Sequence, residues 1–258
     1  MSHLFDSHDT WNLPWAKLEI PQYKETTRGE WSLRKASNVI QMGYFQNLTV
    51  LSNHYVLSKE ENGLQTTWMS LAPMELESSA PHVAAANGVV VVMGAGMGVV
   101  LYNMLKRPEV EKVTVVERDP KVIELLYQAT DIKTWAGIDK LTIEVMDAFD
   151  YIPTEKVNSI FVDIWAPVGD KQALPDTQRI QLKVKANVVS WWGQEIDFLR
   201  WFNQNRPQKQ ASLDHYLAWA KEINLPLIEQ NNPEYLSWIM AVAQSTFYQN
   251  IRRREQKS

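Results

Sequence analysis

The sequence predicts an α/β fold: a Rossmann-like, mostly parallel sheet, preceded by a small N-terminal β unit and followed by a helical C-terminal region. Three observations carry this prediction. Four successive valines, Val89 to Val92, run into three glycines within five residues, Gly94, Gly96 and Gly98. A second β-branched run, Val113 to Val116, follows a helix-compatible stretch and closes on Glu117. Strand and helix signals keep alternating to about residue 165, and such alternation builds a parallel sheet with right-handed crossovers.

Taken in order, residues 1–35 read as irregular, with Pro14, Pro21 and three tryptophans, Trp11, Trp15 and Trp31. The stretches Val39 to Phe45, Leu48 to Leu57 and Leu64 to Met69 are rich in β-branched and aromatic residues and read as short antiparallel strands. Glu60-Glu61-Asn62-Gly63 is a hairpin turn signal between the last two. A helix is expected after Pro73, linking this unit to the centre.

In the central part, strands are expected at 89–93, 113–117, 141–146 and 159–164, and helices at 98–107 and 120–130. Asp119 followed by Pro120 supplies a capping side chain and a proline at the first helical position. Val122, Ile123, Leu126 and Ala129 then form one apolar face. After Pro167 a polar loop is expected to about Gln178, and then helices over Ile180 to Phe202, Leu213 to Ile223 and Pro233 to Arg254, with no further strand. These signals divide the chain into an N-terminal segment (1–80), a nucleoside-binding core (81–178) and a helical region (179–258).

Composition narrows the function classes. The absence of cysteine among 258 residues excludes disulfides, cysteine zinc sites and cysteine-ligated iron–sulfur clusters. The five histidines show no metal-ligand spacing, so no metal is expected. A net charge of −4 (26 basic against 30 acidic residues) gives no field that would favour nucleic acid. Arg252-Arg253-Arg254 reads as a helix end complementing the helix dipole. Residues 83–105 carry no charge and are long enough to span a bilayer, but Asn87-Gly88 interrupts them and the valines favour a buried strand. No membrane partner is therefore expected. With neither a basic segment nor an apolar run at residues 1–9, a cytoplasmic location is expected.

The glycine turn, Met93 to Gly98, suits a nucleoside-type ligand. Glycines let the backbone approach a ligand closely, and a helix start offers free N–H groups. A nicotinamide dinucleotide site would want its third glycine at position 99, which is Val99. The compact spacing fits S-adenosylmethionine better. Glu117 is placed to accept hydrogen bonds from ribose hydroxyls; its rival reading is an exposed strand-end carboxylate. Asp147-Ala148 could meet the adenine amino group, or Asp147 could simply form a turn. Asp163 ends a buried strand beside Trp165 and Pro167, where a lone carboxylate needs a partner. Trp165, Trp191 and Trp192 are candidates to line a pocket, against core packing as the alternative.

These residues carry a family resemblance. The stretch 89–167 resembles class I S-adenosylmethionine-dependent methyltransferases, and most closely their spermidine-synthase-like branch. The matching strings are Val116-Glu117-Arg118-Asp119-Pro120-Lys121-Val122-Ile123 and Asp147-Ala148, with Gly63-Leu64-Gln65 a looser counterpart of the family's turn before the core. The resemblance implies S-adenosylmethionine as cofactor, with Gly94, Gly96 and Gly98 along its methionine portion, Glu117 at the ribose and Asp147 and Ala148 at the adenine. It implies Asp163 and Trp165 facing the transferred group, and Gln65 and Glu75 contacting a small-molecule substrate. Two departures stand out. Aminopropyltransferases hold the donor's amino group with an acidic residue inside the glycine turn, where this chain has Met97. They use the second Asp of a D-x-x-D-P string as base, and Asp163-Ile164-Trp165-Ala166-Pro167 has Ala166 there. Methyl transfer to a small molecule is therefore the expected activity. A non-catalytic nucleoside-binding module that docks a partner stays open, as does aminopropyl transfer with another carboxylate, Asp170 or Glu75, as base. A homodimer is also left open.

Overall fold

The computed structural model describes residues 13–37, 39–44, 48–51, 54–205, 211–228 and 233–255. The N-terminal part forms β1 (Thr26–Arg28), β2 (Trp31–Ala36), β3 (Val39–Met42), β4 (Leu48–Leu51), β5 (His54–Glu61) and β6 (Leu64–Ser70). Four of these make an antiparallel sheet in the order β1-β2-β5-β6, and β3 with β4 forms a separate two-stranded ribbon. β1 and β2 lie inside the segment read as irregular. Their pairing explains the miss: Trp31 pairs with Lys59 and Ala36 with His54, so the partner of β2 comes from a distant part of the chain. The hairpin turn falls at Asn62 and Gly63, both at positive φ, as a two-residue hairpin loop requires. The stretch read as one strand from Leu48 to Leu57 is divided between β4 and β5.

α1 (Pro73–Ala85) leads into the main sheet. There follow β7 (Gly88–Met93), α2 (Val99–Leu105), β8 (Val110–Glu117), α3 (Pro120–Ala129), β9 (Leu141–Val145) and β10 (Ser159–Val162). The Asp119 carboxylate caps α3 by accepting the Lys121 N–H at 2.9 Å, with Pro120 opening the helix. Val90 to Met93 and Ile160 to Val162 are buried, as strands covered on both faces must be.

After β10 the structure departs from expectation. The polar loop ends early, in α4 (Ala173–Val184), and the helix expected over Ile180 to Phe202 is interrupted by β11 (Val188–Trp191) before α5 (Gln194–Asn205). Lys185 stops α4 in the left-handed conformation, φ +53°, and Val188 to Trp191 then pair in parallel with Ser159 to Val162. α6 (Leu213–Ile223), α7 (Pro233–Gln244) and α8 (Thr246–Glu255) complete the chain. The last two were expected as one helix. Ser245 separates them, its hydroxyl donating to the Val242 carbonyl at 2.6 Å and accepting the Tyr248 N–H at 3.1 Å.

The main sheet is therefore five-stranded, in the order β11-β10-β7-β8-β9, with every pairing parallel. Succession from β7 runs one way to β9 and the other way to β11. The order reverses between β7 and β10, and in open α/β sheets the crevice at such a reversal is where ligands bind. Against the β11 side, Trp191, Phe198, Tyr216 and Trp219 form a continuous aromatic cluster with ring centroids 5.2–5.8 Å apart. Among the described residues, no helix is long and apolar enough to cross a membrane, and no group of three or more acidic or histidine side chains is placed to hold a metal ion.

Candidate functional site

The site begins with the glycine turn that follows β7. Gly94 has φ +97°, and a Cβ built on it would lie 2.1 Å from the Asp163 carbonyl oxygen. Only glycine lets the ends of β7 and β10 come this close. The Gly94 N–H also donates to the Val116 carbonyl at 2.8 Å, so the turn is anchored to the strand on either side. Gly98 serves a different purpose. An added Cβ would meet Leu126 at 2.8 Å and Trp135 at 3.0 Å, so this glycine lets α2 pack against its neighbours. Gly94 and Gly96 line the cavity above the turn; Gly98 is not part of its wall.

Glu117 ends β8 and turns toward the glycines. Its Oε2 accepts the Ala95 N–H at 3.0 Å and its Oε1 the Asp119 N–H at 2.9 Å. An ionised carboxylate has about four acceptor positions, so each oxygen keeps capacity toward the cavity it lines. Glu117 is thus neither exposed nor turned away. Asp119 serves as the helix cap and also accepts the Trp31 indole N–H at 2.7 Å, which ties the N-terminal sheet to this edge of the site. Asp147 and Ala148 line the cavity beyond β9. The Asp147 Oδ1 accepts the Phe149 N–H at 2.9 Å, so the turn-forming reading of this residue holds alongside its place in the wall.

The opposite wall holds two carboxylates, Glu75 buried and Asp163 half-buried. Asp163, just past β10, has its carboxyl pushed up to about 7, first by desolvation and then by the charge of Glu117. Glu75, in the first turn of α1, is pushed up to about 8 by desolvation, which outweighs the two 2.7 Å hydrogen bonds its Oε2 accepts from the Ser70 N–H and hydroxyl; the charge of Asp163 adds to the rise. Removing water from a carboxylate disfavours its charged form, and neighbouring carboxylates disfavour it further. A cation entering here would restore both charges.

Tryptophans complete the enclosure. Trp165 is held by its indole N–H donating to Asp176 of α4 at 3.0 Å, and Trp192 by donating to Ser78 of α1 at 2.7 Å. Trp191 is not in the wall: it is fully buried and donates to Asp197 at 2.9 Å. From the N-terminal sheet come Trp31, Lys59, Trp68 and Met69. Lys59 Nζ sits 5.4 Å from the centroid of the Trp31 ring, and Met69 Sδ accepts the Met97 N–H at 3.3 Å over the glycine turn. The cavity between these residues measures about 120 Å³ and opens to solvent at its mouth.

The structure thus brings together Gly94, Gly96, Glu117, Asp147, Ala148, Asp163, Trp165 and Glu75 in one cavity. Gln65 is not among them. It is exposed near the β5–β6 turn, its amide donating to the Ser32 hydroxyl at 3.2 Å. The turn resemblance that suggested it places it at the distal end of a hairpin whose other end, Trp68 and Met69, meets the cavity. Reading the sequence alone missed Trp31, Lys59, Trp68 and Met69 altogether. Only the fold of β2, β5 and β6 against the glycine turn assembles them, and nothing in their spacing announces it.

Part of this chain is similar to known proteins. The family model described as "Spermine/spermidine synthase domain" matches residues 76–188. A polyamine aminopropyltransferase from Shouchella clausii is 27% identical over 137 residues, which cover 51% of this chain and 46% of the relative. The Bacillus subtilis polyamine aminopropyltransferase is 28% identical over 136 residues, with the same coverage. The matches thus span about half the length of these curated relatives. Among solved structures, Trm5b from Pyrococcus abyssi is similar at 16% identity and a TM-score of 0.35, covering 62% of this chain and 44% of that one. Mitomycin 7-O-methyltransferase MmcR is similar at 21% identity and 0.33, covering 44% and 33%. Over residues 76–188 this chain is therefore similar to the spermine/spermidine synthase domain, and that stretch carries the glycine turn, Glu117 and most of the parallel sheet.

Proposed function

We propose that this protein binds an adenosyl sulfonium and transfers one of its alkyl groups to a small-molecule nucleophile, with methyl transfer from S-adenosylmethionine as the first reading. The observation that carries the proposal is the pairing of an acceptor-rich Glu117 beside the glycine turn with a desolvated Asp163 across from it. The first suits ribose hydroxyls and the second a positive charge. The residues fit such a ligand: Gly94 and Gly96 present bare backbone to the cavity, and Asp147 and Ala148 line the same cavity and are available to an adenine edge. When bound, the sulfonium supplies an activated alkyl group and a neutral thioether leaving group.

The chain's own residues then have little covalent chemistry to perform. Gly94 and Gly96 keep the turn low, Glu117 fixes the nucleoside, and Asp163 attracts positive charge toward the reacting centre. Trp165 and Trp192 exclude water and hold the acceptor in line, since positioning supplies much of the rate in such a displacement. Met97 and Ala166 occupy the positions that aminopropyltransferases give to acidic residues, which favours methyl over aminopropyl transfer.

Aminopropyl transfer is the second reading. The relatives' names support it, and so does the wall's excess of acidic side chains: Glu75, Glu117, Asp119, Asp147 and Asp163 against Lys59 and Arg118. The test is to incubate the chain with S-adenosylmethionine, and separately with its decarboxylated form, together with a panel of small amines and hydroxylated acceptors. Mass spectrometry tells methylated from aminopropylated products. Binding of either donor with no product from any acceptor would support a non-catalytic module instead.

A further inference from the structure

We infer that Glu75 is the proton acceptor for an amine entering this cavity, taking the role that position 166 cannot fill. This rests on the alkyl-transfer reading above and adds a residue to it. Glu117 lines the cavity beside the glycine turn, whereas Glu75 lines it from α1. Its helix carries Ser78, whose hydroxyl accepts the Trp192 indole N–H at 2.7 Å and donates to the Glu75 carbonyl at 3.1 Å. Glu75 and the Trp192 wall are therefore held as one unit. Both bonds from Ser70 go to Oε2, which pins the carboxyl and leaves Oε1 for a ligand.

The chemistry follows from this placement. An alkylammonium meeting ionised Glu75 gives its proton to Oε1 and becomes a neutral amine. The nitrogen lone pair then forms a bond to the carbon attached to the sulfonium, the carbon–sulfur bond breaks, and its electron pair returns to sulfur. The product nitrogen carries the positive charge, and Glu75 later releases its proton to solvent. A free carboxyl, with a pKa about 6 units below an alkylammonium, would make this proton transfer unfavourable by about 10⁶-fold. The desolvation that pushes the empty-site carboxyl up to about 8 makes Glu75 a stronger base than a free carboxyl and narrows that gap. The charged and titratable groups that line the cavity with Glu75 are Asp163, Glu117, Asp119 and Asp147, with Lys59 and Arg118 as its cations.

The test counts protons. The full chain, saturated with 5′-methylthioadenosine, is titrated with 1,4-diaminobutane at pH 7 in buffers of differing ionisation enthalpy. A carboxyl at about 8 is about 90% protonated at pH 7 and one at about 7 is about half protonated. Binding that ionises both releases about 1.4 protons in the native chain and about 0.5 in Glu75→Gln. The amide replaces a carboxyl that is mostly neutral in the empty site, so the variant keeps its neighbours. Ser70→Ala, which removes one bond to the charged form, shifts the pH midpoint of diamine binding upward. Equal proton release from native and Glu75→Gln chains, or no diamine binding to the native chain, overturns the role of Glu75. Failure of 5′-methylthioadenosine itself to bind overturns the nucleoside reading instead.

Discussion

Replacing Gly94 with alanine tests how closely the site's two founding strands approach. Alanine at a left-handed φ costs about 1–2 kcal/mol. At Gly63, with φ +78° and nothing within 4 Å of the new methyl group, that conformational cost is the whole effect. At Gly94 the methyl would also sit 2.1 Å from the Asp163 carbonyl oxygen. Forcing such a group into a packed interior adds about 1–3 kcal/mol. The expected losses are about 1 kcal/mol for Gly63→Ala and about 3–4 kcal/mol for Gly94→Ala. At about 2–4 °C per kcal/mol for a chain of this size, the first lowers Tm by a few degrees and the second by about 10 °C. Differential scanning calorimetry at one scan rate resolves the difference. Two variants melting within about 2 °C of each other would show that β7 and β10 do not meet as described, and the geometry of Asp163 would fall with them.

Other outcomes follow from the same structure. Arg200→Ala removes the guanidinium that contacts Asp197 at 2.9 Å, Glu255 at 2.6 Å and the Gly169 carbonyl at 2.6 Å, and leaves Asp197 in a buried site without its cation. Chemical denaturation should show a loss of about 3 kcal/mol, and an unchanged midpoint would mean that the clamp contributes nothing. Glu75 and Asp163 have native pKa values of about 8 and about 7, above their unfolded values. The native state therefore holds more protons than the unfolded chain between about pH 4 and 8, and stability falls as pH rises through that window. Tm measured from pH 5 to pH 8 should decline, and Glu75→Gln should flatten the decline; a rising curve with no effect of the variant would contradict the burial of these carboxyls. Trp192→Phe, which loses the bond to Ser78, should cost about 1 kcal/mol and weaken diamine binding without altering nucleoside binding, as paired thermal shifts would reveal.

How much was legible beforehand depended on where each signal's cause lay. Val89 to Val92 and Val113 to Val116 announced buried parallel strands because both faces are covered, so no polar residue interrupts them. Asp119-Pro120 announced α3 because a cap and a proline act locally. β11 was hidden because it is only four residues long, ends in a tryptophan compatible with a helix, and follows a helix stopped by Lys185 rather than by glycine. β2 was hidden because its partner β5 is distant in sequence, and β1 because it is only three residues long. The site divides in the same way. Glu117, Asp147 and Asp163 are strand-end residues, and strand ends can be read from pattern. Trp31, Trp68 and Met69 reach the cavity only through the docking of the N-terminal sheet, which no local pattern encodes.

The central claim is that a nucleoside lies in the cavity beyond the C-terminal ends of the parallel strands with its ribose on Glu117. Isothermal titration of S-adenosylmethionine and S-adenosylhomocysteine into the native chain and into Glu117→Gln tests it most directly. Two charge-assisted hydrogen bonds at stake should make the variant about 10–100-fold weaker toward both ligands. Native binding with the variant indistinguishable from it, or no heat from either ligand with the native chain, would contradict the account.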